Sequence, residues 1–144
     1  MHRALLEAQA ALATDDVPVG AVVLDETGKI IGVGRNIREA SNDPLGHAET
    51  VAIADAARHM NSWRLDGCTL VVTLEPCTMC AGAIVQSRLA RLVFGAHDEK
   101  AGAVGSLWDV VRDRRLNHRP EVISGVMEQQ SAALLQDFFA RFRD

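Results

Sequence analysis

The sequence has few cysteines and no long apolar run, and it shows no marked excess of either charge. Three cysteines among 144 residues are too few, and odd in number, for the paired framework of a small secreted domain. Sulfur is then left for metal binding, catalysis or the core of a cytoplasmic protein. No stretch approaches the roughly 18 to 20 apolar residues of a membrane span. With 11 Gly and 4 Pro against 48% hydrophobic residues, the bias needed for disorder or a collagen-like repeat is missing. Fifteen basic against 19 acidic side chains leave a net charge of -4, so the total does not point to nucleic acid. Repeats, linkers and low-complexity segments are absent too, and the length fits one domain over residues 1–144.

What is present alternates between helical and extended patterns. Ala4, Leu5, Ala8 and Leu12 recur at helical spacing, and Glu7 and Gln9 interrupt the stretch, so residues 1–14 read as an amphipathic helix and not a signal peptide. Valine-rich residues 17–25 and residues 29–35 flank Glu26-Thr27-Gly28 and predict a hairpin. Residues 36–46 are polar and predict a loop; 47–60 predict a helix with Val51, Ile53, Ala54 and Ala57 available for its buried face. The run 70–74 predicts a strand buried on both faces. Then come a helix at 77–87, strands at 91–95 and 121–124, and a last helix at 128–142 whose apolar side carries Leu134, Leu135, Phe138 and Phe139. This alternation predicts an α/β fold, a three-layer α/β/α sandwich.

Charge is uneven along the chain. Residues 1–72 hold 6 basic and 10 acidic side chains, and residues 73–144 hold 9 of each. The entire excess therefore sits in the first half. Arg112, Arg114, Arg115 and Arg119, with His118 beside them, form a cluster that either grips phosphates or is a solvated loop face.

Two motifs carry chemistry: His47-Ala48-Glu49 and Pro76-Cys77-Thr78-Met79-Cys80, each opening a predicted helix. Cysteines three apart share one helix face and can hold one metal ion. A helix N-terminus also favours the thiolate. Adding His47 makes three ligands with a fourth position open, the arrangement of catalytic zinc, whose bound water has its pKa lowered to about 7. Glu49, on another side of the helix turn, is placed to carry protons beside that water. Taken separately, each motif is weak: Cys-x-x-Cys also serves redox or structural roles, and His-x-Glu alone signifies little. Cys68, the remaining thiol, lies some 20 Å or more from the metal at 3.3 Å per strand residue, as a core side chain would. Gly32-Val33-Gly34 lacks the third glycine of a dinucleotide fingerprint.

Together, in this order, the motifs resemble those of the zinc-dependent nucleoside and nucleobase deaminases, with a cytidine-deaminase-like fold around a mixed five-stranded sheet. Within that family the likeness runs to the bacterial tRNA-specific adenosine deaminases. It is carried by Val17-Pro18-Val19-Gly20-Ala21-Val22, Asn42-Asp43-Pro44, Thr73-Leu74-Glu75-Pro76-Cys77, Cys80-Ala81-Gly82-Ala83, Val93-Phe94-Gly95-Ala96, residues 102–106 and Leu116-Asn117-His118-Arg119. The resemblance implies one Zn2+ held by His47, Cys77 and Cys80, with Glu49 shuttling protons. The reaction implied is hydrolytic conversion of adenosine to inosine at the wobble position of an arginine tRNA with an ACG anticodon. It further implies that Asn36 contacts the flipped-out nucleoside and that Asp98 meets the sugar-phosphate backbone, where a 2'-hydroxyl could donate to it.

Lys100, Phe139, Arg141 and Arg143 are further RNA contacts expected on this basis, with Phe138 and Phe139 otherwise packing the last helix. The partners implied are a tRNA anticodon stem-loop and a second copy of the chain, with no membrane. Leu45-Gly46 replaces the Thr-Ala of many relatives, which removes a hydroxyl cap from the catalytic helix. The chain is expected to begin inside the first helix and to carry a shorter basic tail than some relatives. Alternatives are a deaminase of free guanine, cytosine or a cytidine-type nucleoside, and a zinc-stabilised binding module without catalysis.

Overall fold

Valine-rich segments of the first half become the middle of a five-stranded sheet in the computed structural model, which describes residues 1–143. The strands are β1 (Gly20–Leu24), β2 (Ile30–Arg35), β3 (Thr69–Leu74), β4 (Arg91–Ala96) and β5 (Glu121–Ile123), in the order β2-β1-β3-β4-β5. β1 runs antiparallel to β2 and β3, whereas β3, β4 and β5 are parallel. β3 is central, and its buried pattern matches the continuous aliphatic run. Helices cover both faces: α1 (His2–Ala10) and α5 (Glu128–Ala140) on one, α3 (Ala48–Met60) and α4 (Thr78–Gln86) on the other. The predicted mixed sandwich is the observed one. Among the described residues no helix is long and apolar enough to cross a membrane.

Gly32 and Gly34 acquire a role in this packing. A side chain on Gly34 would run into Ala48 O and come within 2.6 Å of Ala52 N, and one on Gly32 would meet Ala52 O and Ala56 N. α3 therefore lies directly on β2, touching it through Ala48, Ala52 and Ala56, one small residue per turn. This corrects the expected buried face of α3: Val51, Ile53 and Ala57 are only partly covered and Ala54 is exposed, because larger side chains could not enter so close a contact. Asp55 on the same helix accepts the Val33 N–H at 2.9 Å, which covers a donor on the sheet edge.

Two further boundaries moved. Residues 17–19 do not join β1: Pro18 has no N–H, and Val19 N turns back to Val17 O at 2.9 Å. The expected loop 36–46 contains a short helix, α2 (Arg38–Ser41), held by Asp16, whose carboxylate accepts Glu39 N at 2.6 Å and Ala40 N at 3.1 Å. That anchor lies 23 residues upstream, beyond the reach of a local pattern.

Candidate active site

The N-termini of α3 and α4 meet at the carboxyl ends of β3 and β4, where open α/β sheets place their ligands. His47 is the residue before α3 and Cys77 the residue before α4, both with extended backbone. Without a hydroxyl at position 45 or 46, α3 is capped from within, as Thr50 Oγ1 accepts the His47 N–H at 3.1 Å. The same hydroxyl donates to Leu45 O. Gly46 is fixed at both ends, its N–H on Asp43 O and its carbonyl accepting from Ile37 N.

His47 Nδ1 lies 3.5 Å from Cys77 Sγ and 3.5 Å from Cys80 Sγ. Zinc–sulfur and zinc–nitrogen bonds of about 2.3 and 2.05 Å at a tetrahedral angle put N and S about 3.6 Å apart. The three donor atoms lie within 4.8 Å of one another, and no other His, Cys, Asp or Glu of the described residues joins them. The set fits zinc, and a fourth position remains for a non-protein ligand.

The electrostatics agree with a metal site. A hydrogen bond from the Cys80 thiol, joined by His47, lowers Cys77 to about 4, while that bond and burial push Cys80 upward. The two thiols thus share one proton, which a metal would displace. Cys77 in turn holds the His47 ring above its usual range. Glu49 is 4% exposed, and burial pushes its carboxyl up to about 7, with the Cys77 thiolate adding to the shift. It touches Cys80 without belonging to the donor cluster. A carboxyl poised near neutrality can accept and return protons at physiological pH.

These groups open into a cavity of about 200 Å³ walled by Val19, Asn36, Arg38, Leu74, Asp98 and Ala101. Asn36 donates through Nδ2 to Val17 O at 3.2 Å and accepts Arg38 N at 3.1 Å. It serves the turn and lines the cavity at once. Asp98 Oδ1 accepts Lys100 N at 3.0 Å and Ala101 N at 3.2 Å, so its carboxylate is held by its own loop. Through Val17, Leu74 and Asp98 the cavity joins a groove of about 1310 Å³ between residues 97–100 and α5, lined by His97, Lys100, Phe139, Phe142 and Arg143. Phe139 is 46% exposed and faces this groove, while Phe138 takes the packing role.

Two expectations change. Arg141 pairs with Asp15 at 2.9 Å and is not among the groove residues. The arginine cluster lies outside both cavities. There Arg112 pairs with Asp109, Arg115 with Asp113 and Arg119 with the carbonyls of Arg114 and Leu116, while a His118 ring N–H donates to Leu89 O. Leu89 precedes β4, at the end of the sheet away from the site, so the cluster offers no grip beside the pocket. Cys68 contacts Met60 and Asp66 O, apart from the metal donors, as expected of a core thiol. Arg38 was missed, because one arginine in a polar loop has no distinguishing pattern.

The family model for the cytidine and deoxycytidylate deaminase zinc-binding region matches residues 1–96. The chain belongs to this deaminase family. Among curated relatives, a tRNA-specific adenosine deaminase of Bacillus subtilis (strain 168) is 44% identical over 99% of this chain and 88% of its own length. One of Haemophilus influenzae is 46% identical over 100% of this chain and 83% of its own. A solved structure from studies of A-to-I editing by tRNA:A34 deaminases superposes with a TM-score of 0.90 at 43% identity, covering 94% of this chain and 97% of that one. A guanine deaminase from Nitrosomonas europaea gives a TM-score of 0.80 at 29% identity, over 96% and 82% of the two chains. The deaminase motifs and the donor geometry thus agree on a zinc-dependent hydrolase.

Proposed function

We propose that the protein deaminates adenosine to inosine at the wobble position of tRNA, with an arginine tRNA bearing an ACG anticodon as its substrate. The observation that carries this is the continuity of a base-sized cavity with a long groove. At about 200 Å³ the cavity is smaller than the roughly 300 to 1,000 Å³ of drug-sized pockets and suits one extruded base. The adjoining groove, with Lys100, Arg143 and Phe139 along it, suits the flanking nucleotides through charge and stacking. A free base needs no such extension. The identities of 42 to 46% to tRNA-specific adenosine deaminases, against 29% to the guanine deaminase, support the same choice.

His47, Cys77 and Cys80 would hold the zinc, which when bound would supply activation of water at neutral pH. Glu49, with its carboxyl poised near neutrality, would carry the two protons of the added water, one to the purine ring nitrogen and one to the departing amine. The balance is adenosine plus water to inosine plus ammonia. Asn36 steadies the flipped nucleoside, and Asp98 accepts from a ribose hydroxyl. Lys100 and Phe139 engage the backbone and a neighbouring base.

On this reading residues 1–144 form one deaminase domain, acting in the bacterial cytoplasm as a homodimer, with exposed Leu107 and Trp108 as apolar surface for pairing. The test incubates purified protein with the arginine tRNA and sequences the product. Wobble adenosine read as guanosine is expected. Unchanged adenosine from folded, zinc-loaded protein that rapidly releases ammonia from guanine would overturn the assignment.

A further inference from the structure

Among the described residues Glu75 is a third buried carboxylate, beside Glu49 and Asp16. It is 2% exposed at the end of β3, two residues before Cys77, and no step above uses it. Every hydrogen bond that its carboxylate accepts comes from the segment beyond β4. Oε1 accepts Asp98 N at 3.1 Å and the Ser106 hydroxyl, while Oε2 accepts Val104 N at 3.0 Å and Ser106 N at 3.1 Å. His97 Nδ1 stands 3.5 Å away. Around this knot, Ala103 N donates to Pro76 O at 2.8 Å, and Cys77 bridges to Gly102. Gly102 has no room for a side chain, since a Cβ there would strike the Glu75 carboxylate and lie 2.5 Å from Asp98 O.

We propose that Glu75 is a positioning residue, whose carboxylate clamps the Asp98-bearing wall of the cavity against the turn that delivers Cys77 and so sets substrate binding. Four donors converge on two oxygens, three of them backbone N–H groups that cannot reverse. A carboxylate has only acceptors and satisfies all of them. A glutamine cannot: with its NH2 toward Val104 and Ser106 it faces two backbone donors, and turned over it faces Asp98 N. Either orientation releases one part of the 98–106 loop while keeping the shape of the side chain.

This inference rests on the reading that RNA runs along the Asp98 wall. The experiment compares wild type, Glu75→Gln, Asp98→Ala and the double variant, as zinc-loaded protein, on an anticodon stem-loop RNA containing the wobble adenosine. Glu75→Gln should raise KM about tenfold, the scale of one lost hydrogen bond, with kcat within about twofold of wild type. Zinc content should hold, and amide hydrogen exchange at 98, 104 and 106 should accelerate. In the Asp98→Ala background the added effect on KM should shrink to about twofold or less, because the two changes act through one element.

An unchanged KM in folded Glu75→Gln overturns the proposal, as does a full tenfold effect that persists without Asp98, or joint loss of zinc and kcat at constant KM. Should Glu75→Gln not fold, Ser106→Ala removes one bond to the same carboxylate and decides the matter, with a KM rise of about threefold expected and no rise contrary. If wild type ignores the RNA, the functional reading fails, whereas amide exchange still reports on the clamp.

Discussion

Replacing Gly34 by alanine tests the link between sheet packing and catalysis. The added Cβ would stand 2.6 Å from Ala52 N and 3.0 Å from Val51 Cβ, in collision with Ala48 O. Two of the three atoms are helix backbone, so no side chain can rotate away. Ordinary contact begins near 3.4 Å, and α3 must therefore lift by about 1 Å at its first turn. That turn follows His47 and contains Glu49. Overpacking of this kind costs about 1 to 3 kcal/mol, or a fall in Tm of about 2 to 12 °C in a domain of this size. A misplacement of about 1 Å at reacting groups costs about 100-fold in rate.

Gly32→Ala is the control. It makes a similar collision one helical turn further along, against Ala52 O and Ala56 N, and should lower Tm comparably with a smaller loss of kcat. The measurements are thermal unfolding, zinc per chain and deamination kinetics on tRNA. A Gly34→Ala protein with wild-type Tm and kcat would refute the close-packing argument. Equal kcat losses in the two variants would refute the placement of the site at the first turn.

The remaining expectations concern single groups. Glu49→Gln should keep zinc, because the donor cluster excludes Glu49, and lose about 100- to 10,000-fold in kcat; retention of turnover would favour a binding module. Cys68→Ala should retain zinc and activity and cost about 1 kcal/mol in denaturant unfolding; a loss of bound zinc would contradict its place outside the site. Asp16 has its carboxyl below the usual range, because bonds from Thr14, Glu39 and Ala40 and the charge of Arg38 outweigh burial. Its folded pKa is below its unfolded one, so its contribution is complete above about pH 4 and is lost as pH falls through the folded value. Asp16→Asn should be less stable at pH 7, and the gap to wild type should narrow on acidification below about pH 4; a gap independent of pH would exclude the charged cap.

The hairpin, the doubly buried β3 and the helix starts at both motifs were legible because each is set by residues close in sequence. Where reading failed, the partner was distant. α3 buries its alanines and not its branched residues because Gly32 and Gly34 admit nothing larger. α2 depends on Asp16, on the far side of the hairpin. Phe138 and Phe139 are alike as letters, and only the seating of α5 on the sheet buries one and turns the other to the groove. The arginine cluster invited a phosphate-binding reading until Asp109, Asp113 and nearby carbonyls proved to occupy three of its members.

The chemistry of the site is local, and the sequence by itself determined it. A histidine, a glutamate and two cysteines at helix N-termini carry their donor types and dipole environments with them, whatever the rest of the chain does. Tertiary structure decided everything that depends on one segment meeting another. It brings His47 within 3.5 Å of both thiols, buries Glu49 until its carboxyl titrates near neutrality, and opens the cavity into a groove under α5. It also gives Glu75 four donors from a loop more than twenty residues away. Donor chemistry is a property of single residues; distance, burial and shared protons are properties of pairs, and the fold alone chooses the pairs.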